Sequence, residues 1–146
     1  MKKRSGFTLV ELMVVILIIG ILAAVAVPLM RGRIDRAKWS EANASCGTIW
    51  SGIRAYIAEK GPDFDYSAVQ TGLDDAATCQ ELGFNLSDLE GTYFSQNCYT
   101  ITRIVAEPPA CTIEADSSAS TKASPPAANT ATFVSDDADG DPWNGP

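Results

Sequence analysis

Residues 7–30 read FTLVELMVVILIIGILAAVAVPLM, and from Leu12 to Met30 nineteen positions pass without a charge. The apolar side chains occupy every side of a helix rather than one stripe, so this segment must be covered all round, by lipid or by protein. Its length is enough to cross a bilayer. From Arg31 to Lys60 the pattern turns amphipathic with no helix-breaking proline. At about 100° per residue, Ile34, Trp39, Ala42, Cys46, Ile49, Trp50, Ile53, Tyr56 and Ile57 share an arc of less than half the circumference. Asp35 and Lys38 intrude near its start, while Arg33, Arg36, Glu41, Arg54 and Glu59 lie elsewhere. Gly61-Pro62 is a stop signal. A helix from Phe7 to Lys60 would be about 80 Å long.

Beyond it the elements shorten. Residues 62–72 look like a turn-rich loop, and 78–90 a short helix interrupted at Gly83. Residues 92–105, TYFSQNCYTITRIV, and 111–115 read as strands, since they are rich in aromatic, Thr and β-branched residues, with Glu107-Pro108-Pro109 as the hairpin connection. Residues 117–132 mix Ser, Thr, Ala and Pro, have little to bury and should form a surface loop. The fold class expected is α+β: a long N-terminal helix whose amphipathic half packs on a small antiparallel sheet. The corresponding parts are a leader (1–6), a membrane or filament-core helix (7–30), the amphipathic half (31–61) and a small head with a loop-like C-terminal region (62–146).

Charge and composition narrow the function. The chain carries 18 acidic and 11 basic residues, a formal −7. Three of the basic ones, Lys2, Lys3 and Arg4, precede the apolar run, so the head is more acidic still. Nucleic-acid affinity rests on neutralising phosphates with Lys and Arg, which disfavours a direct nucleic-acid partner. The second basic cluster, Arg31, Arg33, Arg36 and Lys38, reads as a solvated helix face, with a charged contact between stacked subunits the other role open to it. There is no histidine, which removes Ser-His-Asp and Cys-His catalysis and every His-containing metal site. Adjacent Asp74 and Asp75 need not converge, so no enzyme and no small-molecule substrate is expected. Trp39, Trp50 and Tyr56 sit at helical spacing and read as core rather than as an electron path. Asn43-Ala44-Ser45 and Asn85-Leu86-Ser87 match the N-glycosylation triplet, a pattern frequent by chance.

Four cysteines, Cys46, Cys79, Cys98 and Cys111, are separated by 33, 19 and 13 positions with no Cys-x-x-Cys pair. Such a set in a small exported domain reads as two disulfides, and four cysteines allow three connectivities. The pairing expected is Cys46 with Cys79 and Cys98 with Cys111.

Glu11 stands inside the apolar run, where a carboxylate is costly and calls for a partner. Cleavage between Gly6 and Phe7 would create an α-amino group close by, in the same chain or in a neighbouring one. An ordinary signal peptide with a site at Ala24-Val25-Ala26 is the competing reading, but the apolar run is longer than the usual h-region of about 7 to 15 residues. Lys2-Lys3-Arg4-Ser5-Gly6 followed by Phe7-Thr8-Leu9-Val10-Glu11-Leu12 resembles the class III signal of type IV pilins and type II secretion pseudopilins, over roughly residues 1 to 60. The resemblance implies cleavage after Gly6 by a prepilin peptidase, N-methylation of Phe7, and a docking role for Glu11. Gly20 and Pro28 fall where the family has a glycine and a proline, and they mark a stretch that loosens in the filament. Both are poor helix formers, at about 1 and 3 kcal/mol. The implied partners are further copies of the chain, the peptidase, an inner-membrane assembly platform and the membrane. The implied location is the cytoplasmic membrane as a single-pass precursor with its N-terminus inside, then an extracellular or periplasmic filament. Basic residues flank the span on both sides, so charge alone does not orient it. Some major pseudopilins bind calcium near their C-terminus, which makes Asp137, Asp139 and Asp141 candidate ligands, although the twelve-residue EF-hand loop is missing. The function implied is a pilus-like filament subunit; a secretion pseudopilin and a membrane-anchored exported protein are the alternatives.

Overall fold

The computed structural model describes residues 6–127, 129–135 and 143–145. One helix, α1 (Leu9–Lys60, 52 residues), runs through two compact units, one ending at Ile34 and the other beginning at Asp35. In the first unit every described residue is exposed, including Val10, Met13, Ile16, Leu17, Ile21, Leu22 and Leu29. Pro28 lies inside α1. The helix stops where Gly61 adopts φ +83, a left-handed conformation that costs glycine little, and the Gly61 N–H closes the last turn on the Ile57 carbonyl at 2.9 Å.

In the second unit the apolar arc of α1 packs as its spacing requires. Trp39, Ala42, Cys46, Ile49, Ile53, Tyr56 and Ile57 are buried, each three or four positions from the next up to Tyr56, as one helix face demands. Ile34 stays exposed and Trp50 is half-buried. Lys38, which breaks the apolar arc, keeps its ammonium in polar company. It pairs with Asp35 at 3.8 Å, donates to the Pro125 carbonyl at 3.4 Å and lies 5.3 Å from the centre of the Tyr93 ring.

Four strands complete the core: β1 (Tyr99–Val105), β2 (Ala110–Asp116), β3 (Thr130–Val134) and β4 (Trp143–Asn144). They form an antiparallel meander in chain order. Period-two burial puts Tyr99, Ile101, Cys111, Ile113, Ala115, Ala131 and Phe133 in the same core cluster as the α1 arc. The outer edge of β1 is capped by a short segment, with Ile101 N–H bonding to the Thr71 carbonyl at 2.9 Å and Leu73 N–H to the Tyr99 carbonyl at 3.0 Å. That cover leaves fewer unpaired strand groups open to another chain. Between α1 and β1 lie α2 (Ala76–Glu81), whose N-cap Asp75 accepts the Thr78 N–H at 3.1 Å, and short 3-10 turns. Gly83 at φ +84 ends α2, as the sequence suggested.

Two expectations shift. The strand expected over 92–105 begins only at Tyr99, because the N–H groups of Thr92, Tyr93 and Phe94 all bond to the Glu41 carboxylate and cannot join a ladder. The surface loop expected over 117–132 gives way at Thr130 to β3, which pairs with β2 from Asp116 to Thr112. Its Ala131 and Phe133 are buried in the core.

Candidate functional site

The chemistry-bearing part of the chain is the start of α1. Thr8 precedes the first helical residue, and its hydroxyl accepts the Glu11 N–H at 3.2 Å. The Glu11 carboxylate reaches back to the Thr8 N–H and hydroxyl, both at 2.8 Å. This reciprocal pair is a capping box, which satisfies helix-end donors that otherwise lack partners. A carboxylate in the first turn also opposes the positive end of the helix dipole, worth about 0.3–1 kcal/mol. The Thr8-Leu9-Val10-Glu11 spacing is the Ser/Thr-x-x-Glu signature, so the role of Thr8 is legible in the sequence.

Gly6 and Phe7 lie just ahead of the box. Both are exposed, Phe7 at 79%, and a Cβ placed on Gly6 meets nothing within 4 Å. Downstream, a shallow apolar groove is lined by Met13, Val14, Leu17, Gly20, Ile21 and Ala24 among others. Gly20 is one of its lining residues, and a Cβ placed there meets nothing within 4 Å. Pro28 lies beyond the groove, still within α1. The best eighteen-residue window of α1 has a mean hydropathy of 3.1, and none of it is buried within the subunit. It is one helix long and apolar enough to cross a membrane.

The other candidates fall into place by burial. Trp39 and Tyr56 belong to the same core; Trp39 packs 5.0 Å from Phe94 and 6.0 Å from Trp143, while the Tyr56 ring meets Phe64 and Tyr66, each at 5.9 Å. Asp75 is spent on capping α2. All four cysteines are buried, and neither expected bond, Cys46–Cys79 or Cys98–Cys111, is formed. The Cys79 thiol points instead to the Leu73 carbonyl at 3.8 Å, and Cys98 lies 3.7 Å from the Ser95 hydroxyl. Burial pushes the Cys46 thiol up, with Cys111 as its electrostatic neighbour. Asp137, Asp139 and Asp141 lie outside the described residues, and among the described residues no group of three acidic or cysteine side chains is gathered for a metal.

Sequence comparison meets the same stretch. Residues 1–27 match the model of the prokaryotic N-terminal methylation motif. A fimbrial protein of Moraxella nonliquefaciens is 38% identical over 106 residues, covering 66% of this chain and 69% of that protein. The chain belongs to the type IV pilin and pseudopilin family. The type II secretion system core protein G of Pseudomonas aeruginosa is 41% identical over 73 residues, 50% of this chain and 49% of that protein. A fimbrial protein of Dichelobacter nodosus is 36% identical over 97 residues, 62% of this chain and 55% of that protein. The chain thus spans about half the length of these two curated relatives. No solved structure gives a significant match. The matched motif covers the start of α1 with Thr8 and Glu11, and the long helix with a small four-stranded antiparallel sheet agrees with the pilin fold.

Proposed function

We propose that the protein is a non-enzymatic structural subunit of a type IV pilus-like filament, assembled by packing of its N-terminal helices. The observation that carries this reading is the fully exposed apolar wall of α1 with one carboxylate at its start. Burying a large aliphatic side chain contributes about 1.5–3 kcal/mol, so a wall of this extent is always covered, first by the membrane and then by neighbouring helices. Cleavage between Gly6 and Phe7 removes Lys2, Lys3 and Arg4, whose charges have no place in an apolar bundle. It also exposes an α-amine one helical turn from Glu11, in the same subunit or the next, and N-methylation keeps that amine cationic. A prepilin peptidase and an inner-membrane platform are the partners this requires, with the N-terminus on the cytoplasmic side and the acidic head outside.

N-terminal mass spectrometry of the protein from membranes and from sheared filaments tests it. A methylated Phe7 terminus is expected; a terminus at Val27 or an intact Met1 would overturn the reading. Glu11→Ala should leave cleavage intact and abolish filaments.

The match to the Pseudomonas secretion protein favours a second reading, a pseudopilin of a type II secretion system. Electron microscopy of the producing cells separates the two. Long surface filaments support the pilus, whereas their absence together with a secretion defect on deletion supports the pseudopilin.

A further inference from the structure

We infer that Arg31 and Arg33 form a cationic collar that binds the phosphates of anionic phospholipids in the leaflet opposite Glu11. The two residues follow the uncharged run that ends at Met30, and both are exposed on the part of α1 that belongs to the first unit. About 30 Å of helix separates Glu11 from Arg31, and that is the thickness of a bilayer's hydrocarbon core. A span that holds the Glu11 carboxylate at one headgroup layer therefore delivers both guanidiniums to the other. Long basic side chains at such a level lay their stems along the apolar layer and extend their charge to the headgroups.

The contacts within the chain point the same way. Among the described residues, Lys38, Arg54, Lys60 and Lys122 each meet a carboxylate, a carbonyl or a ring, whereas neither the Arg31 nor the Arg33 side chain has such a contact. The next acid along the chain, Asp35, is taken by Lys38. A guanidinium can donate two parallel N–H groups to one phosphate, and anionic lipids attract basic residues placed beside a span. Two positions of helix turn the side chains about 200° apart. One facing helix would meet only one of them, while a headgroup layer surrounds α1 and meets both. The collar rests on the membrane-stored subunit proposed above.

The full chain is reconstituted in phosphatidylcholine vesicles, in a Lys2→Gln/Lys3→Gln/Arg4→Gln background that removes the leader's charges. The readout is the fraction of spin-labelled phosphatidylglycerol immobilised at the protein, divided by the same fraction for spin-labelled phosphatidylcholine. At low salt the ratio should exceed one by about two- to fivefold. It should fall to near one in Arg31→Gln/Arg33→Gln, with each single variant intermediate because the two cations meet different lipids. Arg54→Gln, which removes a head cation lying over the Trp50 ring, should leave the ratio unchanged. A ratio that survives the double substitution, or that Arg54→Gln lowers as far, overturns the collar. A starting ratio of one overturns it too; if cells carrying Arg31→Gln/Arg33→Gln then lose their filaments, the arginines serve acidic groups of neighbouring subunits instead. Failure of the chain to float with the vesicles after an alkaline wash overturns the membrane-stored subunit and the collar together, whereas a floating chain with a ratio of one removes the collar alone.

Discussion

The Glu41 carboxylate on α1 accepts the backbone N–H of Phe94 at 2.9 Å, across 53 positions of sequence. It takes the N–H of Tyr93 at 2.8 Å and of Thr92 at 3.0 Å as well. One charged side chain thus fixes the loop that delivers Phe94 to the core, where its ring lies against Trp39.

Glu41→Ala should destabilise the head by roughly 2 kcal/mol, since hydrogen bonds to charged groups contribute about 1.5–3 kcal/mol but the loop is partly open to water, which recovers some of the loss. Glu41→Gln keeps one acceptor oxygen and should cost less. Urea unfolding of both variants, followed by tryptophan fluorescence, checks the order.

Two glycines of α1 should respond in opposite senses to alanine. At Gly47 a Cβ meets nothing within 4 Å, so Gly47→Ala should stabilise by up to about 1 kcal/mol through helix propensity. At Gly52 the Cβ would lie 2.7 Å from the Leu82 carbonyl oxygen and 3.0 Å from the Phe84 ring. Gly52→Ala should therefore destabilise by about 1–3 kcal/mol, as overpacking does. Equal melting shifts for the two would contradict this packing.

Alkaline pH should unfold the head through its tyrosines. Burial first, and then the 2.6 Å hydrogen bond to Glu81, push the Tyr56 hydroxyl from an ordinary 10.0 up to about 12. Burial moves Tyr99 the same way. A raised folded value means that the contribution is complete below pH 10. It declines as pH rises from about 10 to about 12, where the unfolded chain ionises and the folded one does not. Tyr56→Phe should flatten this decline while costing about 1 kcal/mol at neutral pH. Thermal melts at stepped alkaline pH read both effects.

On the acid side the Glu90 carboxyl is held below its ordinary value, chiefly by the hydrogen bond from Lys122. A depressed folded value contributes stability above about pH 4.5 and loses it as pH falls through the folded value. Lys122→Ala should remove that part of the acid dependence. The effect should be small, because the pair is partly exposed and water screens it, and an acid titration of wild type and variant by circular dichroism measures it.

The membrane-spanning pattern, the Gly6-Phe7-Glu11 arrangement, the buried arc of α1 and the stop at Gly61 were all determined by the sequence. Each rests on local periodicity or on the conformational limits of single residues, and these act over a few turns. The family followed from the same short stretch. The Thr8–Glu11 capping box is equally local, and its three-residue spacing is written in the sequence.

What only the tertiary structure decided are relations between distant segments. The stretch 92–98 has strand-like residues, yet Glu41 claims its donors and holds it as a loop. Residues 130–132 read as the end of a small, polar loop, yet β2 offers an edge that they satisfy with backbone bonds. The neighbours of the four cysteines were set by which face of α1 meets which strand, and spacing along the chain carries no record of that. Backbone donors and buried surfaces are shared by the whole fold, so their assignment waits until all the competitors are in place.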